Sequence, residues 1–164
     1  MDHAKRREIL HLLQSDARLT AEHIAAMVGE EPEAVAQAIA EMEADRVLLR
    51  YTAVVDWDKM DTDTVTAIID VKISPQRDVG FDRLARRIAR FPEVRACYLV
   101  SGAYDLSVIV EAGSLKEVAR FVSQRLSTLE GVASTTTHFI LKRYKHDGVL
   151  FEDAESDERL AVTP

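Results

Sequence analysis

The spacing of apolar residues changes once along this chain, near residue 46, and the change demands two different kinds of packing. Before it, apolar side chains recur at threes and fours, the interval that lines one face of a helix. Ile9, Leu12 and Leu13 mark a first helix over about Ala4 to Ser15. Thr20 can cap a second helix, in which Ile24, Met27 and Val28 face inward. His23 stands where a capping box places Glu or Gln, and Gly29 supplies the left-handed conformation that ends a helix. Pro32 suits the first turn of a third helix with Val35, Ile39 and Met42 inward. Helices joined through a Gly-containing turn predict a helix-turn-helix. After the change, Val47 to Val55 reads as a short β-wing and connecting strand, and Asp56 to Asp61 as an acidic linker.

The second half has its own order. Thr64 to Ser74 alternates, with Val65, Ala67, Ile69, Val71 and Ile73 on one face of a strand. Pro75 and Gly80 punctuate, and Phe81, Leu84, Ile88 and Phe91 mark a helix that stops before Pro92. Val94 to Val100 and Tyr104 to Val110 read as strands around the turn Ser101-Gly102-Ala103. Ser114 caps a helix with Glu117 in the capping-box position, burying Val118, Phe121, Val122, Leu126 and Leu129. Gly131 ends it, and Val132 to Lys142 is the last strand. The order βαββαβ predicts a ferredoxin-like unit, so the fold class is α+β, a winged helix-turn-helix joined to a ferredoxin-like domain. The expected segments are 1–50 for the winged helix-turn-helix, 51–63 for the connector, 64–144 for the αβ domain and 145–164 for an acidic tail.

Both helices of such a unit cover one face of the sheet. In the second strand Val94, Ala96, Tyr98 and Val100 alternate with Cys97 and Leu99, so both faces carry apolar groups. A second copy of the same sheet is the simplest cover, and a homodimer follows. The tail holds Val149-Leu150-Phe151 and Leu160-x-Val162 within acidic surroundings, which points to packing on a neighbour.

Composition narrows the class. One cysteine makes no internal disulfide and no CxxC zinc pattern, which suits a reducing cytosol. No apolar run reaches the length of a membrane span, and the first residues lack the apolar core of a signal peptide, so a cytoplasmic protein is expected. The net charge of −7 argues against a uniformly basic nucleic-acid binder. It is unevenly placed: residues 19–60 hold three Lys and Arg against nine Asp and Glu, and residues 61–144 hold twelve against ten.

These elements and three local motifs resemble the Lrp/AsnC family of transcription regulators. The motifs are Tyr51-Thr52-Ala53-Val54-Val55-Asp56, Gly102-Ala103-Tyr104-Asp105, and Gly131-Val132 followed by Thr135-x-Thr137. The resemblance implies DNA binding by the first domain and sensing of a small molecule, usually an amino acid, by the second. It also implies dimers that pair through their sheets and assemble into tetramers or octamers. It assigns ligand contacts to Gly102, Tyr104 and Asp105 in the turn and to Thr135 and Thr137 in the adjacent strand. The chemistry fits: Gly admits close backbone approach, a carboxylate can pair an α-ammonium group, and hydroxyls both donate and accept.

One feature departs from that expectation. With Val35, Ile39 and Met42 inward, the third helix presents Glu33, Gln37, Ala40, Glu41 and Ala44, and no Lys or Arg lies between Leu19 and Asp45. Carboxylates repel the phosphates whose neutralisation supplies most non-specific affinity. Only Gln37 could read a base edge, and the cations placed to clamp a backbone are Lys5, Arg6, Arg7 and Arg50. Weak DNA binding through oligomer avidity is therefore expected. An amino-acid sensor or protein-docking module without DNA binding is the alternative. Arg83, Arg86, Arg87 and Arg90 form a second basic feature, an outward stripe at helical spacing.

An enzyme is the other class to weigh, since some proteins of this architecture decarboxylate tetrapyrroles. The five histidines are scattered over different elements, and no HExxH, GxSxG, GxGxxG or P-loop pattern occurs. No catalytic residue, metal site or cofactor is expected, and Cys97 reads as a small packed hydrophobe.

Overall fold

The first helix, α1 (His3–Ser15), begins where the Asp2 carboxylate accepts the Lys5 backbone N–H at 2.8 Å. In the computed structural model, which describes residues 1–60, 64–74 and 81–151, the chain divides into two units, Met1–Val55 and Asp56–Pro164. In the first unit α1 is followed by α2 (Ala21–Val28) and α3 (Pro32–Ala44). Thr20 caps α2 by accepting the His23 N–H, and Gly29 ends it at φ 68°. Ile9, Leu13, Ile24, Ala25, Val28, Val35, Ala38 and Met42 close the core. Met27, expected inward, is 59% exposed: the inward face of α2 runs through Ile24, Ala25 and Val28.

The expected wing and connecting strand do not form. Residues 47–55 contain no strand. The first backbone N–H groups of that segment turn back instead: Val47 and Leu48 both donate to the Met42 carbonyl at 2.9 Å, and Arg46 at φ 57° makes the turn. That geometry closes the helix end with a non-glycine residue in the left-handed region. Leu48 packs on the helical core, and the Tyr51 hydroxyl donates to the Glu43 carboxylate at 2.7 Å. Burial, then that bond, raises the Tyr51 pKa to about 12. Without a second strand in the unit, extended backbone there has no ladder to join.

The second unit opens with a 3-10 turn, Trp57–Met60. It continues β1 (Val65–Ile73), α4 (Phe81–Ile88), β2 (Val94–Leu99), β3 (Leu106–Ala112), α5 (Leu115–Phe121) and β4 (Val132–Phe139). The sheet order β2-β3-β1-β4, antiparallel throughout, is that of the ferredoxin-like βαββαβ unit. Ala67, Ile69, Val71 and Ile73 of β1 lie buried as the alternation predicts. Pro75, Gly80, the end of the linker and the tail from 152 onward lie outside the described residues.

Two strand ends and one register differ from the sequence reading in ways that matter to the site. The third strand begins at Leu106, not Tyr104, so Tyr104 and Asp105 belong to the turn. The last ends at Phe139, short of Lys142. The register of β2 shifts between Val94, opposite Val110, and Ala96, opposite Ile109. This bulge reverses the alternation, so Val94 shares the core face with Cys97 and not with Ala96.

Ser114 caps α5 by accepting the Glu117 N–H at 3.2 Å. The Glu117 carboxylate reaches back to the Gly113 N–H, one residue before the cap. A π turn, Val122–Leu126, adds a residue and returns Leu126 to the core. The first part of the expected tail is a hairpin, β5 (Lys145–His146) with β6 (Val149–Leu150), turned by Asp147 and Gly148 at positive φ.

Candidate nucleic-acid and effector sites

Of the cations expected to meet DNA, two are engaged inside the helical unit. The Lys5 ammonium donates to the Val28 carbonyl at the C-terminus of α2, where the helix dipole favours a cation. Arg6 pairs with Glu41 on α3. Gln37 donates its side-chain N–H to the other Glu41 oxygen at 3.0 Å, so Arg6, Glu41 and Gln37 form one chain of contacts. Arg6 is the first cause, and Gln37 the second, that holds the Glu41 carboxyl below its ordinary value. Arg7 and Arg50 are exposed and make no ion pair among the described residues. The outward face of α3 thus carries a carboxylate that the fold itself partly neutralises. Composition flagged Glu41 and Arg6 separately; their sequence separation hid the pairing.

In the αβ unit the expected ligand residues fall into two groups. Gly102 sits at φ 149°, where a Cβ would meet nothing within 4 Å, so the turn is open on that side. Beside it the Tyr104 hydroxyl and the Thr136 hydroxyl lie 2.9 Å apart. Thr136 stands opposite Asp70 in the β1–β4 register, on the face away from the helices. Thr135 and Thr137 stand opposite Val71 and Ile69, on the helix-covered face, and Thr135 lies 3.5 Å from the Ser127 hydroxyl. Strand alternation therefore separates the two expected threonines from Tyr104 and puts Thr136 beside it. The segment Ser134 to Thr137 is uniformly hydroxylated and gave no apolar alternation from which to phase it.

Asp105 is built into the turn. Its carboxylate accepts the Ile73 N–H at 2.8 Å and pairs with the Lys72 ammonium at 3.3 Å. Its own N–H donates to the Val71 carbonyl. The Ile73 N–H chiefly, with the Lys72 ammonium, holds the Asp105 carboxyl below its ordinary value of 3.8. A depressed folded pKa stabilises above the unfolded value and is lost as pH falls through the folded one. Wild type is accordingly expected to lose stability more steeply than Asp105→Asn below about pH 4 in acid denaturation followed by circular dichroism. Parallel acid limbs for the two would exclude this role.

A cleft of about 530 Å³ opens between the ends of β2 and β3 and α5, lined among others by Glu93, Glu111, Glu117, Arg120 and Arg125. None of the five expected ligand residues lines it. Cys97 packs beneath α4, 3.9 Å from the Ala85 carbonyl, and burial pushes its thiol up, away from the thiolate a nucleophile needs. Among the described residues no group of three His, Cys, Asp or Glu could hold a metal ion, and no helix is long and apolar enough to cross a membrane.

A helix-turn-helix unit followed by a ferredoxin-like αβ unit defines a two-part regulator, one part shaped for DNA and the other for a small molecule. Two family models cover these parts: an AsnC-type helix-turn-helix domain over residues 6–43 and an Lrp/AsnC ligand binding domain over residues 66–150. The latter reaches into the hairpin, so the first residues of the expected tail fall within the family's extent. The chain is 51% identical over 161 residues to the HTH-type transcriptional regulator YugG of Bacillus subtilis, covering 98% of this chain and 97% of that one. It is 27% identical to a proline dehydrogenase transcriptional activator of Rhodobacter capsulatus, over 83% of this chain and 88% of the relative. A crystal structure of a Neisseria meningitidis transcriptional regulator in complex with L-Met shares the fold, with TM-score 0.71, 24% identity, and 89% and 93% of the two chains covered. The chain belongs to the Lrp/AsnC family of transcriptional regulators.

Proposed function

We propose that this regulator binds DNA as a dimer or larger assembly through its helical unit and responds to an amino acid at the turn between β2 and β3. The observation that carries the reading is the ligand-binding family match, which spans that turn and the neighbouring β4. The L-Met complex of the Neisseria regulator supports an amino acid as the ligand class. In this reading Gly102 admits the ligand backbone, Tyr104 and Asp105 offer a hydroxyl and a carboxylate, and Thr136 takes the place on β4 expected of Thr135 and Thr137, which lie on the helix-covered face. Because Asp105 already holds Lys72, an incoming ammonium group must compete with that side chain. The protein is cytoplasmic and has no catalytic role in this reading.

DNA contact rests on Lys5, Arg6, Arg7, Gln37 and Arg50, with Arg7 and Arg50 the most available. The acidic outward face of α3 favours weak binding that depends on several copies acting together. The same face supports a second reading, a sensor that docks a protein and has lost DNA binding.

A thermal-shift screen of the twenty amino acids tests the sensing function. A ligand present at a hundredfold its Kd stabilises by about 2.7 kcal/mol, and a rise of about 10 °C is expected for a unit of this size. Tyr104→Phe, which removes only the hydroxyl that meets Thr136 and leaves the backbone of the turn alone, is expected to reduce the shift while leaving the fold. A flat screen would remove the amino-acid clause, and absence of a gel-shift at micromolar protein in low salt would select the second reading.

A further inference from the structure

The helical unit is poorly supplied with cations for a polyanion. Residues 1–55 contain six Lys and Arg against ten Asp and Glu. Of the six, Lys5 holds the end of α2, Arg6 holds Glu41 and Arg18 lies 3.3 Å from Asp16. That leaves Arg7, Arg46 and Arg50, while each repelling carboxylate on α3 reduces what they gain. Phosphate neutralisation is the main source of sequence-independent affinity, so a DNA-binding chain with this helical unit needs cations elsewhere.

The αβ unit has them in one place. Residues 81–90 carry Arg83, Arg86, Arg87 and Arg90 against the single acid Asp82. Leu84 and Ile88 bury the opposite face of α4, and all four arginines are exposed. Among the described residues only Arg86 has an acidic neighbour, Asp82 at 4.0 Å between two highly exposed side chains. Such a pair contributes little and is readily exchanged for a phosphate. Arg83, Arg86 and Arg87 lie on α4 and span about 6 Å at 1.5 Å per residue, and Arg90 follows in the turn just past the helix. Phosphates of one DNA strand advance about 3.4 Å along the axis, so the three helical arginines match about two of them and Arg90 extends the row. Guanidinium groups bind phosphate in a bidentate manner and remain charged at any physiological pH.

We propose that the arginine stripe of α4 and the turn that follows it is a phosphate-contact surface for duplex DNA, lying on the sensing unit and independent of base sequence. The inference rests on the DNA-binding reading and can fail separately from it. The stripe supplies affinity and salt dependence, while any base reading remains with α3. It needs no particular operator, since it meets only the backbone.

The test is fluorescence anisotropy on a mixed-sequence duplex between 50 and 200 mM KCl, using the full chain. Each lost contact lowers the magnitude of the log K against log salt slope by about 0.9. The fourfold variant Arg83→Gln, Arg86→Gln, Arg87→Gln and Arg90→Gln should therefore flatten the slope by about 3 to 4. Across that salt range the affinity of wild type should fall by about a hundredfold more than that of the variant. Arg87→Gln alone, at an exposed position, should flatten it by about 0.9, and Arg18→Gln should leave it unchanged. An unchanged slope in the fourfold variant overturns the inference. So does a variant that sediments as a smaller species than wild type, which assigns the stripe to contacts between copies. If wild type itself binds no DNA at 50 mM salt, the underlying reading falls and the inference falls with it.

Discussion

Ile69→Ala is expected to destabilise the αβ unit by about 2–5 kcal/mol and lower its melting transition by about 10 °C or more. Ile69 is fully buried on the central strand, between Val108 of β3 and Thr137 of β4, under the two helices. Truncation removes three methyl or methylene carbons from a close-packed core and leaves a cavity that a strand paired on both sides cannot collapse to fill. The helical unit has a separate core built on Ile9 and Ile24. Differential scanning calorimetry should therefore show one transition displaced and the other in place, with Ile9→Ala giving the reverse pattern. A shift of both transitions together, or of neither, contradicts two independently packed cores.

Glu41→Lys is expected to tighten DNA binding by about tenfold at 50 mM salt and to steepen the salt slope by about 0.9. The substitution removes a repelling carboxylate from the outward face of α3 and frees Arg6, which Glu41 now holds. It also releases the Gln37 amide from its bond to Glu41, leaving it free to turn toward a base edge. Three changes therefore act in one direction. The core is untouched, since Val35, Ala38 and Met42 bury the other side of α3. Anisotropy titration of wild type and variant on the same duplex reads the effect. Equal affinities would mean that α3 does not approach the nucleic acid at all, which is the docking-module reading.

The fold was largely legible because its elements announce themselves locally. Gly29 stops a helix by backbone geometry and Ser114 starts one with its side chain, and the alternation of β1 sets its face without reference to any other strand. Gly131, expected to end the second αβ helix, lies past it, since the helical stretch stops at Leu126. What sequence could not show was anything fixed by pairing between distant segments. The β2 bulge moved Val94 to the opposite face from Ala96, and only the register against β3 reveals it. The hydroxyl run of β4 has no apolar member to phase it, so Thr136, and not Thr135 or Thr137, turned out to meet Tyr104. The wing was expected from β-branched composition, yet a strand exists only where a partner does, and the amides of Val47 and Leu48 end a helix instead. Asp105 was read as free to meet a ligand because nothing in the sequence places Lys72 and Ile73 against it.

The bond from Lys5 to the Val28 carbonyl bears on how this chain compares with its relatives. A basic residue at the start of a DNA-binding unit invites the inference that evolution has kept it for the nucleic acid. Here the ammonium closes the last turn of α2, and Arg6 beside it bridges two helices. Selection for a stable helical unit alone would preserve both. A relative could carry both residues without touching an operator, so a basic start to such a helical unit speaks for its fold and not for contact with DNA.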